Sequence, residues 1–183
     1  MGVPIELVGA WRRSGLIWKG VRQVDYCDVV WLQTPEWFVD IRLIMEPSTV
    51  PADAKVPAFF YKNRCFAGHA SFAAPQITWN HEIDSTDTPR TRPDSNPLVW
   101  DNGVVLECGS ATVDGEEHPF IEEWLRMTAD DTPWSASGDE HFARIEIGKW
   151  RVEVSDDRPA GKFTATRYDL TETGWSKIGT VIT

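Results

Sequence analysis

The chain is short of positive charge. Lys and Arg number 18 against 28 Asp and Glu in 183 residues, a formal charge of −10, and no basic block offsets it locally. Nucleic acid and anionic membrane surfaces both require a basic footprint, so neither is expected as a partner. Cysteine is scarce too: Cys27, Cys65 and Cys108 are odd in number, far apart and without a Cys-x-x-Cys pair. That usage fits a reducing, cytoplasmic setting and offers no metal knuckle. Met-Gly-Val-Pro-Ile-Glu at the start carries no basic stretch followed by an apolar run, so no secretory leader is expected.

The usual catalytic and cofactor signatures are missing as well. His69, His81, His118 and His141 lack His-x-His or His-Glu-x-x-His spacing, which argues against a metal site. No Gly-x-Gly-x-x-Gly, phosphate-binding loop or Gly-x-Ser-x-Gly elbow occurs, so no cofactor is expected. A long amphipathic helical pattern is absent. Many short β-forming runs are present instead, separated by turn residues at strand-like spacing, which indicates an all-β sandwich or antiparallel barrel.

These runs can be placed along the chain. Leu7 to Arg13 reads as a first strand, Ser14-Gly15 as punctuation, and Leu16 to Val21 as a second. Asp25 to Thr34 and Trp37 to Ile44 form a hairpin candidate around Pro35-Glu36. Met45 to Pro57, Ser85 to Pro97 and the acidic Thr128 to Glu140 read as loops, and Ala58 to Tyr61 as strand-like. Asn102-Gly103 and Asp114-Gly115 are turn signals, because Gly, Asn and Asp tolerate positive φ. Phe120 to Met127 is a strand bounded by Pro119 and Pro133, with Ile121, Glu123, Leu125 and Met127 as its cleaner core face. Four further strand candidates run from Phe142 to Ile182. Residues 1–183 are read as one domain.

The densest overlap of strand pattern and ionisable groups is Ile77 to Asp84. Ile77, Trp79, His81 and Ile83 alternate onto one face, so a histidine sits on the apolar side beside a tryptophan. Gly68, in the preceding strand, suggests a bulge. In Trp37 to Ile44, Val39, Ile41 and Leu43 share one face and Asp40 and Arg42 the other. Exposed charge is the norm, which favours Val39, Ile41 and Leu43 in the core and Asp40 with Arg42 in water. The functional alternative turns Asp40 and Arg42 inward as a buried pair.

Gly9-Ala10-Trp11 resembles the Gly-x-Trp motif of lipocalins and related calycin barrels. Taken with Phe38-Val39-Asp40-Ile41-Arg42, Cys65-Phe66-Ala67-Gly68, Trp79 to Asp84, Leu106-Glu107-x-Gly109 and Glu122-x-Trp124-x-Arg126, the chain resembles a lipocalin-like family of small intracellular fungal and bacterial proteins. One fungal member of that family was named as a partner of a yeast casein kinase. The resemblance implies an antiparallel up-and-down barrel of about eight to ten strands around a ligand cavity. Lipocalins also pack a late arginine over the Gly-x-Trp tryptophan, and Arg167 is the candidate here.

Ten tryptophans are available to fill a β core or to wall a cavity. The expected function is enclosure of a small, largely apolar or aromatic molecule, with Trp31, Trp79 and Trp124 as walls and Arg42 with Asp40 at a polar end. The alternative is a cofactor-independent isomerase or cyclase in the same cavity. There His81 would serve as acid or base, tuned by Glu107 or Glu122. A lone histidine among carboxylates is more often structural. An interaction module using the acidic loops Asp84 to Asp94 and Ala129 to Glu140 is a third reading, and it leaves a protein partner or homodimer open.

Overall fold

Fourteen strands and a few short 3-10 turns make up the computed structural model, which describes residues 2–45, 56–86 and 93–183. The first sheet comprises β1 (Gly9–Trp18), β2 (Val21–Arg22), β3 (Cys27–Gln33), β4 (Trp37–Ile44), β5 (Arg64–Ala73), β6 (Gln76–Asp84), β7 (Asp94–Asp101), β8 (Val104–Val113) and β9 (Glu116–Arg126). Neighbouring strands are antiparallel, and β9 returns to pair with β1. Eight strands thereby close into a barrel, with the two-residue β2 as an addition on β1. Closure removes the open sheet edges that would otherwise invite aggregation.

The turns follow local chemistry. Asn102 (φ 48°) and Gly103 (φ 84°) join β7 to β8, and Asp114 (φ 52°) and Gly115 (φ 84°) join β8 to β9. Both are two-residue connections with positive φ at each central position, the geometry that matches strand twist. The run from Phe120 is strand as expected, but it belongs to the longer β9, which starts at Glu116, ends at Arg126 and holds Pro119 inside it instead of at its boundary. Gly9 to Trp18 is one strand where two were expected to meet, because a bulge between Arg13 and Gly15 absorbs the Ser14-Gly15 punctuation; Leu7 belongs to a 3-10 turn before it and Val21 to β2 after it. Ala58–Phe60 is a 3-10 turn rather than strand. Residues 46–55 and 87–92, within two of the expected loops, lie outside the described residues.

The chain does not spend its last strands on the barrel. β10 (Trp134–Gly138), β11 (Phe142–Ile147), β12 (Trp150–Asp157), β13 (Lys162–Thr171) and β14 (Gly174–Ile182) form a separate five-stranded antiparallel sheet. β10 occupies part of the expected acidic loop. This sheet lies against the outside of the barrel, where Ile145, Ile147, Val152, Val154, Phe163 and Val181 meet Val30, Leu32, Val39, Ile41, Cys65 and Ile83. Arg167 stitches the two sheets by donating to Asp28 of β3 at 2.8 Å while also bonding Asp169.

That covering explains the strands whose faces were ambiguous. Val39 and Ile41 are in a core, as the simpler reading held, yet Asp40 and Arg42 are buried as well, inside the barrel. Both faces of β4 are covered, so the rule that charge marks the solvent side fails there. In β9 the expectation reverses. Phe120, Glu122 and Trp124 turn inward, and Leu125 is 49 % exposed.

In β6 a bulge at Glu82 breaks the alternation: Ala67 pairs with Ile83, but Gly68 pairs with His81. Trp79 and His81 stay inside and Ile83 passes to the outer core, correcting the single-face reading. Gly68 is required because a Cβ there would meet the Asn80 carbonyl oxygen at 1.9 Å.

One end of the barrel is filled by Val3 and Leu7 beneath Trp11, whose Nε1 donates to the Leu7 carbonyl at 3.0 Å. Arg126, from the last barrel strand, lies 5.5 Å over the Trp11 ring and donates to the Val8 carbonyl at 2.5 Å. It is Arg126, and not Arg167, that packs over this tryptophan.

Candidate functional site in the barrel interior

Side chains two apart along each strand stack inside the barrel in layers. The lowest layer is aromatic and aliphatic, with Trp31 at its hub. Trp31 stacks on Trp11 at 5.7 Å and meets Trp79 at 5.7 Å and Trp124 at 5.5 Å edge to face. These separations suit the quadrupoles of aromatic rings. Each strand then steps up from this floor into a charged layer: Trp11 to Arg13, Phe38 to Asp40 and Arg42, Val105 to Glu107, and Trp124 to Glu122. A cavity of about 720 Å³ opens above the floor. Trp31, Trp79 and Trp124 line it below, Asp40, Arg42, Glu107 and Glu122 line its charged band, and Phe59, Phe60 and Phe120 line it beyond.

The charged band is an ordered ion-pair network. Arg42 holds Asp40 with two donors at 2.9 and 3.2 Å and reaches Glu122 at 3.4 Å. Arg13 grips Asp25 with two donors at 2.7 Å each and makes a very short bond to Glu122. Arg64 donates to Asp84 at 3.1 Å. Arg42 and Arg64 also lie over the Phe66 ring at 5.5 and 5.0 Å. Pairing on this scale offsets the large cost of dehydrating the charges, which none of them would tolerate singly.

Glu107 is the exception. It is buried, and its hydrogen-bond donors are neutral: Asn96 Nδ2 to Oε1 at 2.8 Å and Trp124 Nε1 to Oε2 at 3.0 Å. In the β8–β9 ladder it stands directly opposite Glu122. Burial, reinforced by the Glu122 charge, pushes the Glu107 carboxyl up to about 8 against the pull of Arg42. Burial works on Glu122 in the same direction, but Arg42 and Arg13 outweigh it and hold that carboxyl below its ordinary value. Near neutral pH the pair therefore consists of one carboxylic acid and one carboxylate.

Of the residues singled out from the sequence, Trp31, Asp40, Arg42, Trp79, Glu107, Glu122 and Trp124 all line this cavity. His81 does not. Its side chain is 1 % exposed and stacks on Phe66 at 4.2 Å, with Nδ1 3.1 Å from Asp84. Its Nε2 is 3.2 Å from Asp94 but makes no well-formed hydrogen bond. The ring is thus fixed behind Phe66, and the expected grouping of His81 with Glu107 and Glu122 is not assembled.

Sequence reasoning missed Arg13, Arg64, Phe66 and Asn96. Arg13 carried a usable signal, being two residues from the inward Trp11.

Among the described residues, no helix is long and apolar enough to cross a membrane. No group of three or more His, Cys, Asp or Glu side chains among them is placed to hold a metal ion. The class of protein is a closed antiparallel eight-stranded barrel with an aromatic floor and an ion-paired cavity, backed by a second sheet. The chain belongs to the family described as Protein HRI1, whose sequence model matches residues 10–179. No curated protein and no solved structure matches it.

Proposed function

We propose that this is a lipocalin-like small-molecule binding protein that encloses a ligand with a flat aromatic or apolar body. The observation that carries the reading is the cavity of about 720 Å³ between the Trp31, Trp79 and Trp124 floor and the charged band. That volume lies in the range of small-molecule sites, and apolar walls with a few convergent polar groups are their usual make-up. The kinship with lipocalins draws support from Arg126 over Trp11. A second reading, a cofactor-independent isomerase or cyclase, draws on the split protonation of Glu107 and Glu122. It would rest on those two carboxyls and not on His81, which the cavity does not reach.

The test is titration with the neutral dye N-phenylnaphthylamine, exciting the protein's tryptophans. The expected result is saturable, one-per-chain energy transfer to the dye, lost when Ala111→Trp fills the cavity that Ala111 lines. Dye fluorescence that never saturates, or that Ala111→Trp leaves unchanged, would remove the proposal.

A further inference from the structure

Among the described residues of the charged band, carboxyls outnumber arginines. Asp40, Glu107 and Glu122 line the cavity with Arg42. Beyond the lining, Arg13 brings Asp25 with it and Arg64 is matched by Asp84. Each arginine of the network thus already has a carboxylate of its own, and Glu122 is shared between two of them. Glu107 is left with Asn96 and Trp124 as its donors, neither of them a cation. Trp124 is also one of the three tryptophans of the floor, so the unmatched carboxyl and the π faces bound the same space.

We propose that the cavity's ligand is a protonated amine on an aromatic or apolar body, its ammonium taken by Glu107 and its body resting on Trp31, Trp79 and Trp124. The inference rests on the cavity reading given above and adds the chemical class. At Arg13 or Arg42 an anionic ligand would have to displace Asp40, Asp25 or Glu122 from bidentate or multiple bonds before gaining any of its own. A neutral ligand would leave the excess carboxyl unused. An ammonium supplies the missing positive charge, and tryptophan faces attract it further through the ring quadrupole.

The groups that face Glu107 set the proton balance: Arg42 from β4, Asn96 from β7, and Glu122 and Trp124 from β9. Without ligand the carboxyl is held near 8, so at pH 7 it is mostly protonated. Binding of an ammonium ionises it and releases that proton to the buffer.

Tryptamine, tryptophol and indoleacetate share one ring and differ only in carrying a cation, a neutral hydroxyl or an anion. Calorimetric titration at pH 7 in buffers of different ionisation enthalpy reads both affinity and proton release. Tryptamine is expected to bind about tenfold or more tightly than tryptophol, with indoleacetate weakest, and to release the larger part of a proton. Glu107→Gln should abolish the release and bring tryptamine down to the level of tryptophol. The comparison of the three ligands on the unaltered chain stands even if that variant folds poorly. Tryptophol binding as tightly as tryptamine, or tryptamine binding without proton release, overturns the inference while leaving the cavity reading in place. If none of the three binds and N-phenylnaphthylamine still does, the ammonium class is wrong. If the dye fails too, the cavity reading falls with it.

Discussion

Replacing Glu107 by Gln should reshape how stability depends on pH. The carboxyl sits near 8 in the folded protein, against an ordinary 4.5. Between those values the native state keeps a proton that the unfolded chain has released. Stability therefore falls as pH rises through this window, with a slope approaching about 1.4 kcal/mol per pH unit. Below the ordinary value both states are protonated, and above about 8 both are ionised, so the slope vanishes at either side. From pH 5 to pH 8 the loss amounts to about 3 kcal/mol for the Glu107–Glu122 pair. Glu122 and Asp84 are shifted downward and act with the opposite sign, but only under acid conditions.

Gln has no proton to lose. It keeps one acceptor for Asn96 or Trp124 and forfeits the other, at a cost of about 1 kcal/mol. The variant should be no more stable than the parent at pH 5 and more stable by about 2 kcal/mol at pH 8. Urea unfolding at half-unit steps of pH, followed by tryptophan emission, measures both curves. A parent protein whose stability is level or rising across this range, or a variant with the parent's slope, would refute the assignment of the proton to Glu107.

Arg42→Leu should destabilise by about 3–5 kcal/mol, because Asp40 loses a bidentate partner and Glu122 one of two while both stay buried. Adding Asp40→Leu should recover part of that loss, and a double-mutant cycle by urea unfolding gives the coupling. Ile145→Ala opens a hole between barrel and second sheet and should cost about 2–5 kcal/mol. Its unfolding should remain a single transition by tryptophan emission and by far-UV circular dichroism, since the two sheets share one core.

Much of the fold could be read locally. Asn102-Gly103 and Asp114-Gly115 prescribe tight turns through backbone sterics alone, and the runs between them alternate as strands must. The cavity residues were also accessible, because Trp124 and Glu122, or Val105 and Glu107, lie two apart and so share whichever side they take. Which side that was could not be read. In β9 the more apolar set, with Leu125, turned outward, and the aromatic and acidic set turned inward. In β6 a single extra residue at Glu82 sent His81 and Ile83 to opposite sides.

Composition and neighbours along the chain were enough for the all-β class, the Asn102-Gly103 and Asp114-Gly115 turns, the alternation within unbulged stretches of strand and the excess of carboxylates. The tertiary structure alone decided that β10 to β14 form a separate sheet over the outside of the barrel and that Asp40 and Arg42 are buried. It also set Glu107 opposite Glu122 and His81 behind Phe66. Burial, and with it the balance of charge and protonation, depends on what covers each face, and the covering residues lie many positions away in the chain.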